Sequence, residues 1–217
     1  MEMTNQERCI YCESSKNLSR DHIPPKNLFP ASMRDNLITV PCCVLCNNGF
    51  SKAEEYFRVI ISTYAGAESN SVAKTLFETK IRRGLERRPK LASKVMSTVV
   101  SVDIYSKDKK IGVAPAYDIE TPEFNIVMAK IFQGLLFHET SLLLPKDYTI
   151  EWNIINDVIP IPERIFNILC TQPIKTIGNG IFRYMTYILP GSVGSFWVCS
   201  FYDAVFFHGG IMPKDRL

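Results

Sequence analysis

The spacing of apolar residues predicts helices over much of the first half of the chain. From Phe50, apolar side chains recur at intervals of three and four residues, which predicts a helix over about 47–65. A second helix is predicted over about 72–88, where Pro89 ends it, and a short third one over about 91–97. The residues before the first helix are rich in Cys, Asn and Pro and lack apolar periodicity, which indicates turns and short strands.

The pattern changes from helical spacing to alternation after residue 98. Apolar and polar side chains alternate over 99–105 and again from Ile111, with a charged turn between them, as expected of a β-hairpin. Residues 124–137 are strongly apolar and predict a helix that follows the capping residue Thr121. The other predicted elements are strands at 148–155, 180–189, 195–201 and 204–208 and a short helix at 162–169.

These patterns predict an α+β protein in three parts. Residues 1–65 hold most of the cysteines and the first helix, residues 66–98 form a basic helical connector, and residues 99–217 form a second α+β domain. No apolar run approaches the roughly 20 residues that span a bilayer, and the polar N-terminus lacks a secretory signal. We therefore expect a cytoplasmic protein with no membrane partner.

The cysteines are unevenly distributed. Five of the seven lie within the first 46 residues, whereas Cys170 and Cys199 stand alone in apolar surroundings, where we expect them to be buried. Closely paired cysteines in a cytoplasmic chain more often bind a metal than form disulfides. The clustered cysteines are therefore candidate metal ligands.

Two C-x-x-C pairs stand out within this cluster. Cys9 and Cys12 form the first pair, and Cys43 and Cys46 form the second. Two residues between ligands allow both thiolates of a pair to bind one ion, and two pairs complete a tetrahedral site. Because four protein ligands leave no open position, we expect one structural zinc per chain. Cys42 is the ambiguous residue. Its pairing with Cys46 would leave three intervening residues, so Cys43 is the preferred ligand and Cys42 is expected to be a packed thiol.

Polar residues in a recognisable order lie between and after the two pairs. Asp21 and His22 are adjacent, at the end of a predicted strand and shortly before a proline. Asn36 opens a second predicted strand, and Asn47 directly follows the second cysteine pair. This order, over about residues 8–57, resembles the HNH endonucleases of the ββα-metal superfamily, in which two antiparallel strands and a helix hold one divalent cation.

The resemblance implies a role for each of these side chains in a zinc-stapled ββα-metal module. Asp21 and Asn47 would bind catalytic Mg²⁺ or Mn²⁺, and His22 would be the general base that activates water. Asn36 would brace the loop between the strands and so orient His22. Because the third motif position is Asn rather than His, the preferred divalent metal stays open.

Physical chemistry supports the same roles. An imidazole titrates near neutral pH and can therefore act as a base in hydrolysis. A hard cation that is bound by one carboxylate and one amide keeps positions free for phosphate oxygens and water. Because neighbouring residues on a strand point to opposite faces, a twist or bulge must bring Asp21 and His22 to the same phosphate.

The expected function is that of a metal-dependent endonuclease that hydrolyses phosphodiester bonds in DNA, with cleavage of RNA left open. Stand-alone HNH proteins of this build resemble effectors of bacterial restriction or antiphage defence. The alternative is a zinc-dependent protein that binds nucleic acid or a protein partner without catalysis, because a degenerate HNH module can bind without cutting.

Positive charge is concentrated in the half of the chain that carries the motif. Residues 1–100 hold 15 Lys and Arg against 10 Asp and Glu, whereas residues 101–217 hold 10 against 12. Residues 74–94 contain eight basic and two acidic side chains, a density that could follow a nucleic-acid backbone or form a solvated helix face. The candidate phosphate contacts are Arg20 and Lys52 beside the motif and Arg82, Arg83, Arg87 and Arg88 in the basic stretch.

No motif assigns a role to residues 99–217. His138 and His208 lack a partner motif, so we expect both to be structural. This part of the chain could bind a ligand, form a homodimer or dock a partner from a defence system.

Overall fold

Helices and strands form a mixed α+β protein, in agreement with the predicted fold class. The computed structural model describes residues 7–64, 67–119, 121–155 and 161–216. The helices are α1 (Val44–Thr63), α2 (Ser71–Leu76), α3 (Arg82–Arg87), α4 (Pro89–Ser97), α5 (Pro122–Thr140) and α6 (Glu163–Leu169), with a π-helical segment (Phe77–Ile81) joining α2 to α3. None of the helices in the described ranges combines the length and apolar character needed to span a bilayer.

The strands form three separate antiparallel sheets. They are β1 (Leu18–Ile23), β2 (Ile38–Cys43), β3 (Val99–Ser106), β4 (Lys109–Tyr117), β5 (Tyr148–Ile154), β6 (Lys175–Ile177), β7 (Phe182–Ile188), β8 (Ser195–Phe201) and β9 (Val205–Pro213). Strands β1 and β2 form one hairpin and β3 and β4 another, while the C-terminal strands form a five-stranded sheet in the order β5-β9-β8-β7-β6.

Helix α1 presents a continuous apolar stripe to the core. Ala53, Phe57, Ile60 and Ile61 are all buried, at the spacing that the sequence predicted. The helix begins three residues earlier than expected because Cys43 caps it: the Cys43 sulfur accepts a hydrogen bond from the backbone N–H of Cys46.

Helix α5 lies between the N-terminal hairpin and the five-stranded sheet. Its Phe132 ring packs on Trp197 of β8, with ring centroids 6.3 Å apart. On the opposite side, Gly134 allows close approach to β1, because a Cβ at this position would overlap the side chain of Ile23. One hydrophobic cluster therefore contains residues from all three predicted parts of the chain, including Ile23, Ile81 and Trp197.

The β3–β4 hairpin matches its prediction but is only thinly covered. Val100, Val102, Ile104 and Val113 are all exposed on it. The strands pair with each other in a two-stranded sheet, so most of their apolar surface faces solvent.

In the C-terminal part, one expectation was wrong and one strand was not predicted. Cys199 is buried as expected, but Cys170 is exposed at the C-terminal cap of α6. Strand β6 was not predicted, since its three residues are too few to show an alternating pattern.

Glu139, near the end of α5, ties the helix to the sheet. The Tyr184 hydroxyl of β7 donates to Glu139 Oε1 at 2.6 Å, and the Lys175 ammonium of β6 pairs with Oε2. Burial opposes ionisation of Glu139, but these two donors outweigh it and lower the pKa of the carboxyl. The charged form of Glu139 therefore stabilises the fold.

Glu139→Gln is expected to destabilise the protein by about 1 kcal/mol at neutral pH, because it removes a charge-assisted hydrogen bond. A lowered folded pKa means that this stabilisation is present above the unfolded pKa of about 4.3 and is lost as pH falls through the folded value. Urea unfolding of the variant and the wild type at a series of pH values should show the difference shrinking in acid. Glu151→Gln, at an exposed position on β5, serves as the control, and a pH-independent difference would contradict this assignment.

Candidate metal centre and motif residues

Two turns bring four cysteine sulfurs together at the end of the first hairpin. The Sγ atoms of Cys9, Cys12, Cys43 and Cys46 all lie within 4.8 Å of one another. The first turn is closed by the backbone N–H of Glu13, which donates to the Cys9 carbonyl at 2.8 Å. The second pair lies where β2 runs into the first turn of α1. The predicted grouping of these four cysteines is therefore confirmed.

The donor set fits a structural metal such as zinc. Zinc–sulfur bonds of about 2.3 Å in a tetrahedron place sulfurs about 3.8 Å apart. The Sγ atoms of Cys12 and Cys43 are 3.7 Å apart. The backbone N–H of Cys46 lowers the pKa of Cys43 to about 7, which favours the thiolate that binds metal. Cys42 is buried, and its thiol donates to the Cys43 carbonyl outside the cluster.

Cys43→Ser is expected to abolish stoichiometric metal binding and to unfold the N-terminal hairpin, because metal affinity here is folding free energy. Elemental analysis of dialysed wild-type protein should give about one zinc per chain. Cys42→Ser is the matched control, since it removes a neighbouring thiol outside the cluster and should retain the metal. Metal loss from Cys42→Ser with retention by Cys43→Ser would show that the ligand set is wrong.

Asp21 lies on the core side of β1, where both of its carboxylate oxygens are engaged. The Lys130 ammonium of α5 donates to Oδ1 at 2.8 Å, and the Tyr11 hydroxyl donates to Oδ2 at 2.8 Å. Burial, together with the neighbouring Asp21 carboxylate, raises the pKa of Tyr11 well above its ordinary value. The phenol therefore stays protonated and continues to donate.

Lys130 is the centre of this buried network. Its side chain is 0% exposed, and its ammonium also pairs with Glu54 of α1. The same ammonium lies 5.3 Å from the centroid of the Phe50 ring, within the range of a cation–π contact. Burial raises the pKa of Glu54, although the nearby ammonium opposes the shift.

His22 lies on the opposite face of β1 from Asp21. The strands pair in regular register, with Asp21 opposite Val40 and His22 opposite Thr39, so no bulge turns the two side chains together. Asp21 is buried and His22 is partly exposed, as this alternation requires. Burial and the charge of Lys26 lower the pKa of His22, which leaves a neutral imidazole at physiological pH.

The two motif asparagines make backbone contacts with different parts of the chain. Asn47, in the first turn of α1, donates through Nδ2 to the Arg20 carbonyl of β1 at 3.3 Å. Asn36 donates to the Thr176 carbonyl at 3.1 Å and accepts from the Gly178 backbone N–H at 2.8 Å. The partners of Asn36 thus differ from those expected: it holds the turn between β6 and β7 rather than the loop beside His22.

The candidate phosphate contacts lie at several places on the surface. The Arg20 guanidinium donates to the Thr39 carbonyl at 3.0 Å, along the outer side of the first hairpin. Lys52 is exposed on α1. In the basic stretch, Arg82 pairs with Glu86 at 3.8 Å, whereas Arg83, Arg87 and Arg88 turn toward α1 and line a cleft there.

A divalent-cation site at Asp21 and Asn47 does not fit the side chains as they stand. The carboxylate of Asp21 already faces an ammonium, and a second cation beside it would be repelled. Within the described ranges, the cysteine cluster is the one group of three or more His, Cys, Asp or Glu ligands close enough to share an ion. Catalytic Mg²⁺ or Mn²⁺ therefore stays a prediction.

Sequence reasoning missed Lys130 and its partner Glu54. The available signal was a single lysine in the middle of the strongly apolar helix at 124–137. A charged side chain that is removed from water needs an opposite charge, so such a lysine predicts a buried carboxylate partner.

Comparisons with known proteins add no family to these observations. No protein-family model, no curated protein and no solved structure matches the chain. The cysteine cluster and the side chains around Asp21 and His22 are therefore the features of this chain that bear on its function.

Lys130→Met is expected to destabilise the protein by about 3–5 kcal/mol, because it leaves Asp21 and Glu54 buried without their cation. Lys110→Met is the control: its partner Asp103 is also exposed, so this change should cost less than about 1 kcal/mol. Chemical unfolding measures both. The triple variant Lys130→Met/Asp21→Asn/Glu54→Gln should recover part of the loss, and an equal effect of the two single changes would contradict a buried ion pair.

Proposed function

We propose that this protein is an endonuclease of the HNH type that hydrolyses phosphodiester bonds in DNA, with His22 as the general base. The observation that carries the proposal is the contact between the first turn of α1 and β1 beside the cysteine cluster. There Asn47 bonds to the carbonyl of Arg20, two residues before His22. Asn47, at the third motif position, thus lies beside the strand that carries His22.

The environment of His22 suits a base that acts on water. The side chain is partly exposed, so a substrate can approach it, and its lowered pKa keeps the imidazole unprotonated at neutral pH. An unprotonated imidazole accepts the proton of water as the water attacks phosphorus. Arg20 lies on the same face of β1 and presents a positive charge to the phosphate.

An HNH enzyme also uses a divalent cation, which when bound stabilises charge on the phosphoryl group and on the leaving oxygen. The resemblance assigns it to Asp21 and Asn47. Because Lys130 and Tyr11 engage the Asp21 carboxylate, we derive no catalytic step through this cation. The proposal for this chain is limited to proton removal by His22 and positioning by Asn47.

A second candidate function is favoured by the same buried ion pair. A module whose motif carboxylate is neutralised by a lysine can bind nucleic acid or a protein partner without cutting. In that case the cysteine cluster, Arg20 and the cleft-lining arginines Arg83, Arg87 and Arg88 would supply a non-catalytic binding surface. The two candidates differ in whether any divalent metal supports cleavage.

The setting of either function follows from the cysteines and from the resemblance. Free cysteines that could bind a metal suit a reducing compartment, which supports a cytoplasmic location for this protein. The partner proposed here is DNA, with RNA as a second substrate class and a role in restriction or antiphage defence. The C-terminal part would then serve for dimerisation or for docking a defence partner.

His22→Ala is expected to lower cleavage by about 10²–10⁴-fold, because it removes the base that activates water. Purified wild type and variant are incubated with plasmid, linear DNA and RNA, with and without Mg²⁺ or Mn²⁺. Zinc content, melting temperature and DNA affinity should stay close to the wild-type values.

His138→Ala is the matched control, since His138 is exposed at the end of α5 and far along the chain from the motif. It should cleave like the wild type. Undiminished cleavage by His22→Ala would exclude the proposed mechanism. Wild-type protein that binds DNA yet cuts no substrate with any divalent metal would favour the non-catalytic candidate.

A further inference from the structure

A positively charged cleft lies between α1 and the segment that runs from α2 to α3. Its volume is about 340 Å³. Its lining includes five cationic side chains and one carboxylate, namely Arg58, Lys80, Arg83, Arg87, Arg88 and Glu55. One carboxylate cannot balance five cations, so the cleft keeps a positive field that attracts anions.

Glu55 is already shared by two of these cations. Its Oε1 atom pairs with the guanidinium of Arg88 and lies 3.7 Å from Nη2 of Arg58. Lys80 and Arg87 make no ion pair within the part of the chain that the structure describes. The cleft therefore has cationic groups left over for a ligand.

Arg58 forms the buried wall of the cleft. Its side chain is only 14% exposed, and its Nε is buried without a hydrogen-bond partner among the described residues. A guanidinium presents several N–H donors in a planar fork, which matches the oxygens of a phosphate. Burial lowers the pKa of Arg58, although the charge of Glu55 opposes the shift.

Four of the eight basic side chains of residues 74–94 line the cleft, and the other four lie outside it. Arg82 is a neighbour of Arg83 in sequence, but it is 67% exposed, pairs with Glu86 and does not line the cleft. Lys90 on α4 is also exposed outside it. A merely solvated helix would spread its basic residues evenly, whereas here several converge on Arg58 of another helix.

We propose that this cleft is a binding site for phosphate groups, with Arg58 as its buried anchor and Arg83 and Arg87 as its outer contacts. Arginine pairs with phosphate oxygens through two parallel hydrogen bonds. The volume lies at the lower end of the range of about 300–1,000 Å³ that small-molecule sites occupy. A nucleic-acid backbone and free pyrophosphate both carry the phosphate oxygens that such a cleft would bind. Only binding of a nucleic-acid backbone rests on the proposed function.

The test measures binding in the absence of Mg²⁺ and Mn²⁺, so that cleavage does not interfere. Fluorescence anisotropy follows a short labelled duplex DNA, and inorganic pyrophosphate serves as competitor. Arg83→Gln/Arg87→Gln is expected to weaken DNA binding about tenfold or more. It should also make the slope of log affinity against log salt shallower by about two, because two phosphate contacts are lost.

Arg82→Gln/Lys90→Gln is the matched control, because it removes the same charge from neighbouring helices outside the cleft. It should change the affinity by less than about threefold. Arg58→Gln should weaken binding as the outer variant does, and its melting temperature shows whether it folds. If Arg58→Gln does not fold, the comparison of Arg83→Gln/Arg87→Gln with its control still tests the proposal.

The outcomes separate the cleft from the nuclease. Displacement of DNA by pyrophosphate would show that the cleft binds free phosphates. Weaker DNA binding by the cleft variant alone, without displacement by pyrophosphate, would show that the cleft binds the nucleic-acid backbone. Both outcomes support the proposal. Equal weakening by the two double variants, no weakening by the cleft variant, or no binding of either probe would overturn it. If the cleft variant selectively loses DNA binding and the wild type cuts no substrate, the cleft proposal holds. Only the proposed nuclease activity is then excluded.

Discussion

The buried ammonium of Lys130 is a constraint on which much of this structure depends. An apolar helix can carry a charge into the core only where carboxylates surround it, and Asp21 on β1 and Glu54 on α1 meet that need. One electrostatic requirement thus fixes α5 against two elements at once. Any rotation of the helix would leave charges unpaired away from water. The position of α5 then sets that of the five-stranded sheet, because Phe132 packs on Trp197.

The cysteine cluster holds one end of the small first hairpin, and the ion pair holds its core face. A two-stranded hairpin is marginally stable alone, and β1 and β2 have only six residues each. At one end, four sulfurs gather where a metal would join the turn after Cys9 to the start of α1. On the core face, Asp21 and Ile23 are held by α5. The face that carries His22 is left open to solvent, which gives this hairpin one structural and one accessible side.

Features that depend on local spacing could be predicted from the sequence, and features that depend on distant partners could not. The C-x-x-C pairs predicted the cysteine cluster, and the periodicity from Phe50 predicted α1, because both patterns lie within a few residues. Lys130 lies 109 residues from Asp21, so no local pattern could show that a lysine would engage the motif carboxylate. The hydrogen bonds of Asn36 to residues 140 and 142 positions away were hidden for the same reason.

The close approach of Gly134 to Ile23 has a consequence for how such a chain could have been assembled. A module that moves between proteins by recombination must fold without the rest of its original chain. The core face of β1, however, is completed by a glycine and a lysine on α5. Transfer of residues 7–64 without α5 would leave two carboxylates, Asp21 and Glu54, without their cation and Ile23 uncovered. The core face of the hairpin is therefore complete only with α5, although more than fifty residues separate the two elements along the chain.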